Sequence, residues 1–124
     1  MWHVIYYETD KGQCPVQDFI ESRHKKRDQA KLLVQIEALE QMGPTLPRPY
    51  ADLLEDGIHE LRIKLSGDQI RILYFFCFKD FIILTNAFAK TASRVPRSAI
   101  EEARRCRKDF LDKVTEEDLR ELVK

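Results

Sequence analysis

The stretch DGIHELRIKLSGDQIRILYFF, residues 56–76, decides the fold because it has the pattern of a two-stranded antiparallel hairpin. Two runs rich in β-branched and aromatic residues flank a Ser-Gly-Asp turn. Side chains alternate between the two faces of a strand, so Leu61 and Ile63 share one face of the first run. Arg62 and Lys64 lie on the other face. The hairpin therefore predicts one apolar face and one charged face.

The register of the strands indicates which charged residues come together. With Gly-Asp as a two-residue turn, Lys64 lies opposite Arg71. Arg62 then lies opposite Leu73. A second two-residue turn, Lys-Asp, places Arg71 opposite Phe88 on the next strand. The basic patch predicted in this way consists of Arg62, Lys64, Arg71 and Lys90, with Phe75 and Phe88 on the same face.

Length and composition restrict the class of protein. The chain has 124 residues, of which 44% are hydrophobic and 34% are charged, as is typical of one soluble domain. No apolar run approaches the ~20 residues that a membrane helix needs, and the amino terminus lacks the basic region of a signal peptide. We therefore expect a cytoplasmic protein with no membrane partner. The net charge is zero, but residues 59–97 carry seven Lys and Arg against three Asp and Glu.

The sequence contains no pattern typical of a metal or cofactor site. Cys14, Cys77 and Cys106 are far apart and lack metal-ligand spacing, so neither a disulfide framework nor a metal centre is expected. No Ser/His/Asp or paired-carboxylate arrangement is recognisable. We expect no cofactor.

The rest of the chain predicts helices on both sides of the hairpin in sequence. A short strand, WHVIYY, is followed by two helices, PVQDFIESR and QAKLLVQIEALEQM, and by a proline-rich connection up to residue 56. The later elements are predicted as strands over 59–65, 69–78 and 81–88, a helix from about Pro96, and a last short helix with Thr115 and Asp118 as a capping pair.

This order of elements indicates an α+β fold with an N-terminal strand, a helical hairpin, a three-stranded antiparallel meander and a C-terminal helix. We expect a single domain over residues 1–124, with its core at about 3–108 and a short helical extension at 115–123. The helices are expected on one face of the sheet, which leaves the other face open.

Several motifs in this order resemble those of the HigB-like branch of the RelE/ParE toxin superfamily, which is known also from phage genomes. The resemblance covers about residues 3–108 and rests on LLEDGIHELRIKLSGDQIRILYFF followed by IILTNAFAKTASRVP and a helix. The matching positions are Asp56, Gly57, Glu60, Leu61, Arg62, Arg71, Tyr74, Phe75, Phe88, Lys90 and Pro96. The resemblance implies a RelE-like domain.

The resemblance also implies a function, namely the toxin of a type II toxin-antitoxin pair that cuts mRNA on the ribosome. Such enzymes use no metal and activate the ribose 2′-OH against the adjacent phosphate. Arg62 and Arg71 then have the role of phosphate clamps. Lys90 is the candidate general base, since a lysine among other cations loses its proton more readily. The residues expected to bind RNA are Lys64, Phe88, Arg94 and Arg97. The implied partners are the ribosome, mRNA and an antitoxin of the helix-turn-helix type.

Two departures from the family pattern leave other functions open. Thr91 stands where the family commonly has a second lysine, and Val95 stands where a threonine often caps the helix. One alternative is a ParE-like toxin that binds DNA gyrase without cutting anything. Another is a non-toxic interaction module, which the threonine at position 91 favours.

Two further residues of the hairpin invite a catalytic interpretation. Tyr74 lies on the opposite face from Arg71 by strand parity and is predicted to belong to the core. His59 shares the face of Leu61, so a buried or edge histidine is expected there rather than a general acid or base.

Overall fold

The computed structural model of the protein describes all 124 residues and forms a five-stranded mixed sheet with helices packed on it. The elements are β1 (His3–Tyr6), α1 (Pro15–Glu21), α2 (Lys26–Met42), β2 (Ala51–Glu55), β3 (Ile58–Leu65), β4 (Asp68–Cys77), β5 (Phe81–Lys90), α3 (Arg97–Lys113) and α4 (Glu116–Leu122), with a 3-10 turn at Gly43–Thr45. The strand order is β1-β5-β4-β3-β2. Strand β1 runs parallel to β5 and all other pairs are antiparallel. No helix has the length and apolar character needed to cross a membrane.

The α+β class and the meander are confirmed, and one strand was missed. Strand β2 lies within the segment predicted as an extended connection, and it pairs with the first half of β3. Three prolines just before it masked its short apolar run. The capping pair of the last helix is confirmed, because the side chain of Thr115 accepts from the amide of Asp118 and the carboxylate of Asp118 accepts from the amide of Thr115.

The prediction that all helices lie on one face of the sheet is wrong. One core joins α1 and α2 to Leu61, Ile72 and Leu84. A second core, on the opposite face, joins α3 and α4 to Leu73 and Phe75. The central strands are apolar on both faces, and such a sheet requires cover on both. The charged face is therefore open only beside the amino-terminal end of α3.

The register of the hairpin differs from the prediction by two residues. Ser66 and Gly67, rather than Gly67 and Asp68, form the turn, since Leu65 pairs with Asp68. Gly67 has a φ of 88°, a left-handed conformation that favours glycine. Arg62 therefore lies opposite Arg71, and not opposite Leu73, whereas Lys64 lies opposite Gln69, and not opposite Arg71. A shift of two residues keeps every side chain on its predicted face.

The predicted pairing of Arg71 with Phe88 is confirmed, although the predicted turn before β5 is wrong. Three residues, Phe78 to Asp80, connect β4 to β5 instead of the predicted two. The first pairs between β4 and β5 are therefore shifted by one residue from the predicted register. A β-bulge at Thr85 then inserts one extra residue into β5. The two deviations cancel, and the charged half of β5 returns to the predicted register.

Candidate functional site

A cleft of about 320 Å³ opens on the charged face of the sheet, beside the amino-terminal end of α3. It is lined by residues of β2 and β3, by the end of β5, by the loop between β5 and α3, and by one residue of α3. The lining residues are Asp52, Leu54, Glu60, Arg62, Lys90, Ser93, Arg94, Val95 and Ile100. The cleft thus brings together two of the three predicted catalytic residues.

The third predicted catalytic residue, Arg71, is buried beneath this face. Only 6% of its surface is exposed, and its Nε lies 2.9 Å from Oε1 of Glu60. Its Nη1 donates to the carbonyl of Ile70 at 3.1 Å. The contact with Glu60 is an ion pair without the alignment of a hydrogen bond. Arg71 is therefore positioned as a buried counter-charge and not as an open phosphate clamp.

Glu60 holds both hairpin arginines at once. Its Oε2 accepts hydrogen bonds from Arg62 Nη2 at 2.9 Å and from Arg62 Nε at 3.2 Å. Arg62 also reaches Asp52, where Nη2 donates to Oδ2 at 3.3 Å. The side chain of Arg62 keeps 30% of its surface exposed, against 8% for that of Arg71. Arg62 can therefore still meet a ligand in the cleft, although two carboxylates offset its charge.

Asp52 is the second carboxylate of this cluster. Desolvation raises the pKa of Asp52, but hydrogen bonds from Arg48 and from the amide of Leu53, together with the charges of Arg48 and Arg62, hold that pKa below its usual value. Asp52 is therefore ionised at neutral pH. The cleft has a negative wall as well as a positive one.

A row of cations without carboxylate partners lies at the outer end of the same face. Lys64 pairs with Gln69, and Gln69 pairs with Lys90, so the two lysines stand at either side of one glutamine. Neither lysine takes part in an ion pair, and neither does Arg94 in the loop after β5. Phe88 is half-buried between this row and the core. Lys64, Phe88 and Lys90 lie on the face that strand parity predicted, although Lys64 has a different partner.

Arg97, a predicted RNA-binding residue, does not line the cleft. Its guanidinium contacts Glu55 and lies 3.1 Å from Glu101. Arg104 and Arg107 add ion pairs to Asp56, at 3.3 Å and 2.7 Å. These contacts tie α3 to the β2–β3 turn, so the basic surface of α3 is largely neutralised by acidic residues of the same chain.

Asn86 was not recognised from the sequence, although it fixes one wall of the cleft. It is 2% exposed, its amide donates to the carbonyl of Ala99 at 3.2 Å, and its oxygen accepts from Thr85 Oγ1 at 2.6 Å. The bond from Asn86 to Ala99 attaches the start of α3 to the sheet. The side chain reaches α3 through the bulge at Thr85, which no sequence pattern indicated.

His59 and Tyr74 lie on the opposite face, as predicted. Their rings stack with centroids 5.3 Å apart, and Tyr74 belongs to the core on the α2 side. Burial raises the pKa of Tyr74. Neither residue contacts the cleft. No cluster of three or more His, Cys, Asp or Glu side chains is arranged to hold a metal ion.

The stacked histidine leads to an expected pH dependence of stability. Burial lowers the pKa of His59, and the charge of Asp52 opposes this only in part. The unfolded chain then binds a proton more readily than the folded one, so the free energy of unfolding falls as the pH drops from about 7 to 5. Urea unfolding at both pH values checks this. The His59→Phe variant keeps a ring in the stack and is expected to show a smaller fall in the free energy of unfolding between pH 7 and pH 5. The same fall in the variant as in wild type would show that His59 is not the cause.

The fold and the cleft define a small α+β protein whose sheet presents a partly neutralised basic site. Comparison with known families agrees with this class. The family described as "Phage derived protein Gp49-like (DUF891)" matches residues 21–108. The chain belongs to this phage-derived family, which is a toxin-like family of the RelE kind. No curated protein matches the chain.

Proposed function

We propose that the protein is the toxin of a type II toxin-antitoxin pair and a ribosome-dependent endoribonuclease of the HigB-like branch, acting as one domain over residues 1–124 in the cytoplasm. The observation that carries the proposal is a set of three cations without ion-pair partners: Lys90 and Arg94 line the cleft, and Lys64 lies two strands from Lys90 across Gln69, with Phe88 on the same face of the sheet. Cations along a groove bind phosphates, and an aromatic ring among them stacks on an unpaired base. Membership of a toxin-like family supports the same conclusion.

The proposed reaction needs a base and a positive charge at one phosphate. Lys90 takes the proton of a ribose 2′-OH, whose oxygen then attacks the adjacent phosphorus. The bond from phosphorus to the 5′-oxygen breaks, which leaves a 2′,3′-cyclic phosphate and a 5′-hydroxyl after a proton returns to the leaving oxygen. Arg62 and Arg94 face the charge that develops on the phosphate oxygens, where preorganised donors have their largest effect. Arg71 is buried and does not contact the phosphate. It acts indirectly, because its ion pair with Glu60 fixes that carboxylate, which in turn positions Arg62.

The implied partners follow from this function. A toxin of this kind is neutralised by an antitoxin, and in the HigB-like branch that antitoxin is a helix-turn-helix protein. The substrate is mRNA in the decoding site of the ribosome. The exposed lysines bind the sugar-phosphate backbone in a manner that weakens with salt.

The proposal is tested by expression in a bacterial host that lacks the partner gene. Wild type is expected to arrest growth and to produce new RNA ends at in-frame positions of translated messages. Lys90→Met is expected to reduce the cleavage rate by about tenfold or more, because one donor or base at the phosphate is lost. Lys79→Met removes an exposed lysine at the other end of the sheet, outside the cleft, and is expected to behave like wild type.

The outcomes distinguish the competing functions at matched protein levels. Arrest without cleavage would contradict the ribonuclease and favour a ParE-like toxin that binds gyrase. Absence of arrest would favour a non-toxic interaction module. The non-toxic module is supported by two observations. Glu60 neutralises two arginines of the site, and Thr91 stands at the usual position of a second lysine.

A further inference from the structure

A second groove, of about 760 Å³, runs along the outer edge of β3 and shares only Arg62 with the cleft described above. It lies between that edge, the first half of α2 and residues 49–50. Strand β2 covers only the first half of β3, up to Leu61, and the last backbone contact is the amide of Arg62, which donates to the carbonyl of Tyr50 at 2.8 Å. From there to Leu65 nothing pairs with this side of β3. The groove therefore contains an open strand edge.

The backbone of Lys64 points into this groove. In an antiparallel strand, neighbouring residues turn their amide and carbonyl groups to opposite sides, so Lys64 repeats the orientation of Arg62. Leu65 pairs with Asp68 across the hairpin turn and directs its groups towards β4. An added strand would thus find the amide and the carbonyl of Lys64 free. Edges of this kind are known docking sites for extended peptides.

The side chains around the edge differ on its two sides. Towards α2 lie Ile63, Ala30 and Val34, and 59% of Val34 is exposed. Towards the opposite face lie Arg62 and Lys64. Every charged residue that lines the groove is a cation, namely Arg27, Lys31, Arg62, Lys64 and Arg71, and no carboxylate is among them. Arg27, Lys31 and Lys64 have no ion-pair partner in the chain.

We propose that this groove binds an extended segment of a partner protein in which acidic and apolar residues alternate, and that the segment adds a strand to the edge of β3 at residues 62–65. Successive side chains of an added strand face opposite sides of the sheet. The apolar ones pack on the exposed Ala30 and Val34, and the acidic ones meet Arg62 and Lys64. Arg27 and Lys31 attract the segment to the rim of the groove. This interaction requires neither RNA cleavage nor the cleft.

A peptide fits the groove better than a nucleic acid does. The exposed floor is mainly aliphatic, and Tyr50, with 49% of its surface exposed, is the one aromatic ring among the lining residues. A nucleic-acid strand needs stacking platforms for successive bases. It also has no backbone that pairs with the amide and carbonyl of Lys64. The open edge and the apolar floor therefore both favour a polypeptide.

The test uses the full chain and a labelled peptide in which glutamate and valine alternate. We expect saturable binding by fluorescence anisotropy. Binding should slow hydrogen exchange at the Lys64 amide by about tenfold or more, as expected when a free edge becomes paired. Arg27→Glu/Lys31→Glu, both on the exposed surface of α2, should weaken binding by about tenfold. Lys11→Glu/Arg105→Glu reverses two exposed charges elsewhere and should leave binding unchanged.

Lys64→Pro provides a second variant, because proline removes the edge amide and blocks an added strand. We expect Lys64→Pro to abolish binding of the peptide while its circular dichroism spectrum stays unchanged, which shows that the variant is still folded. Failure of the peptide to bind, or binding without protection of Lys64, would overturn the proposal. If single-stranded oligouridylate bound instead and was lost in Arg27→Glu/Lys31→Glu, the groove would be a nucleic-acid site. Protection of Lys64 that rose with protein concentration alone would identify a second copy of the chain as the occupant and would also overturn it.

Discussion

Replacement of Glu60 by glutamine is expected to lower the free energy of unfolding by about 3 kcal/mol. The carboxylate is 4% exposed and lies between Arg71, which is almost fully buried, and Arg62. Removal of one partner from a buried ion pair leaves an uncompensated charge, which typically costs about 3–5 kcal/mol. Glutamine keeps the size of the side chain and one acceptor, so the lower end of that range applies. Urea unfolding at pH 7 measures the loss.

The variants of Arg71 and Asp68 make this expectation specific. Arg71→Met should destabilise the protein less than Glu60→Gln, because Glu60 would keep its bonds to Arg62. Asp68→Asn is the matched control, since its ion pair with Arg23 spans 3.5 Å at a half-exposed site and should contribute under about 1 kcal/mol. A loss for Glu60→Gln no greater than that for Asp68→Asn would mean that the pair does not hold the two strands.

The same ion pair bears on function. Glu60 lowers the positive potential of the cleft, so its removal should strengthen non-specific phosphate binding in any molecules that remain folded. It also fixes the guanidinium of Arg62 against β3, as preorganised catalysis requires. In the proposed ribonuclease, an acidic residue inside the phosphate site would have a role in positioning. The unpaired lysines would then supply the attraction that the arginines lack.

The hairpin shows which parts of the fold could be predicted from sequence. Alternation of apolar and charged residues in β3 correctly assigned the faces, and a two-residue error in the turn left that assignment intact. The cover over the second face was missed, although Ala103, Cys106 and Phe110 of α3 form an apolar stripe that needs a partner. Leu73 and Phe75 carried the missing signal, because they make β4 apolar on both faces.

The candidate site was predicted less completely, for a physical reason. Strand parity brings Arg62, Lys64, Arg71 and Lys90 to one face, but it does not say which of them is buried. That depends on where α3 begins and on the contact between Glu60 and the two arginines. The sequence indicated Glu60 only as one of the positions that match the family pattern, yet the structure makes it the centre of the cluster. Asn86 depends on a bulge, which arises from the pairing of two strands and not from either strand alone.

Replacement of Gly43 by alanine is expected to destabilise the protein by about 3 kcal/mol or more. Gly43 ends α2 with φ 55° and ψ −131°, a conformation that residues with a side chain rarely adopt. A Cβ atom there would also overlap the indole ring of Trp2, which packs beside Phe76 at a centroid distance of 5.2 Å. Strain and overpacking each typically cost about 1–3 kcal/mol, and here they add. Thermal and urea unfolding measure the effect.

Two further variants separate the strain from the clash. Gly67→Ala, with φ 88° and no atom within 4 Å of the new Cβ, should show the strain alone, at about 1–2 kcal/mol. Trp2→Ala/Gly43→Ala should be less destabilised than the sum of its single variants, because the smaller residue removes the overlap. Strict additivity would contradict the clash. The amide of Trp2 donates to the carbonyl of Glu40, so a displaced indole would loosen β1 from α2 and, through β1, the parallel edge of the sheet.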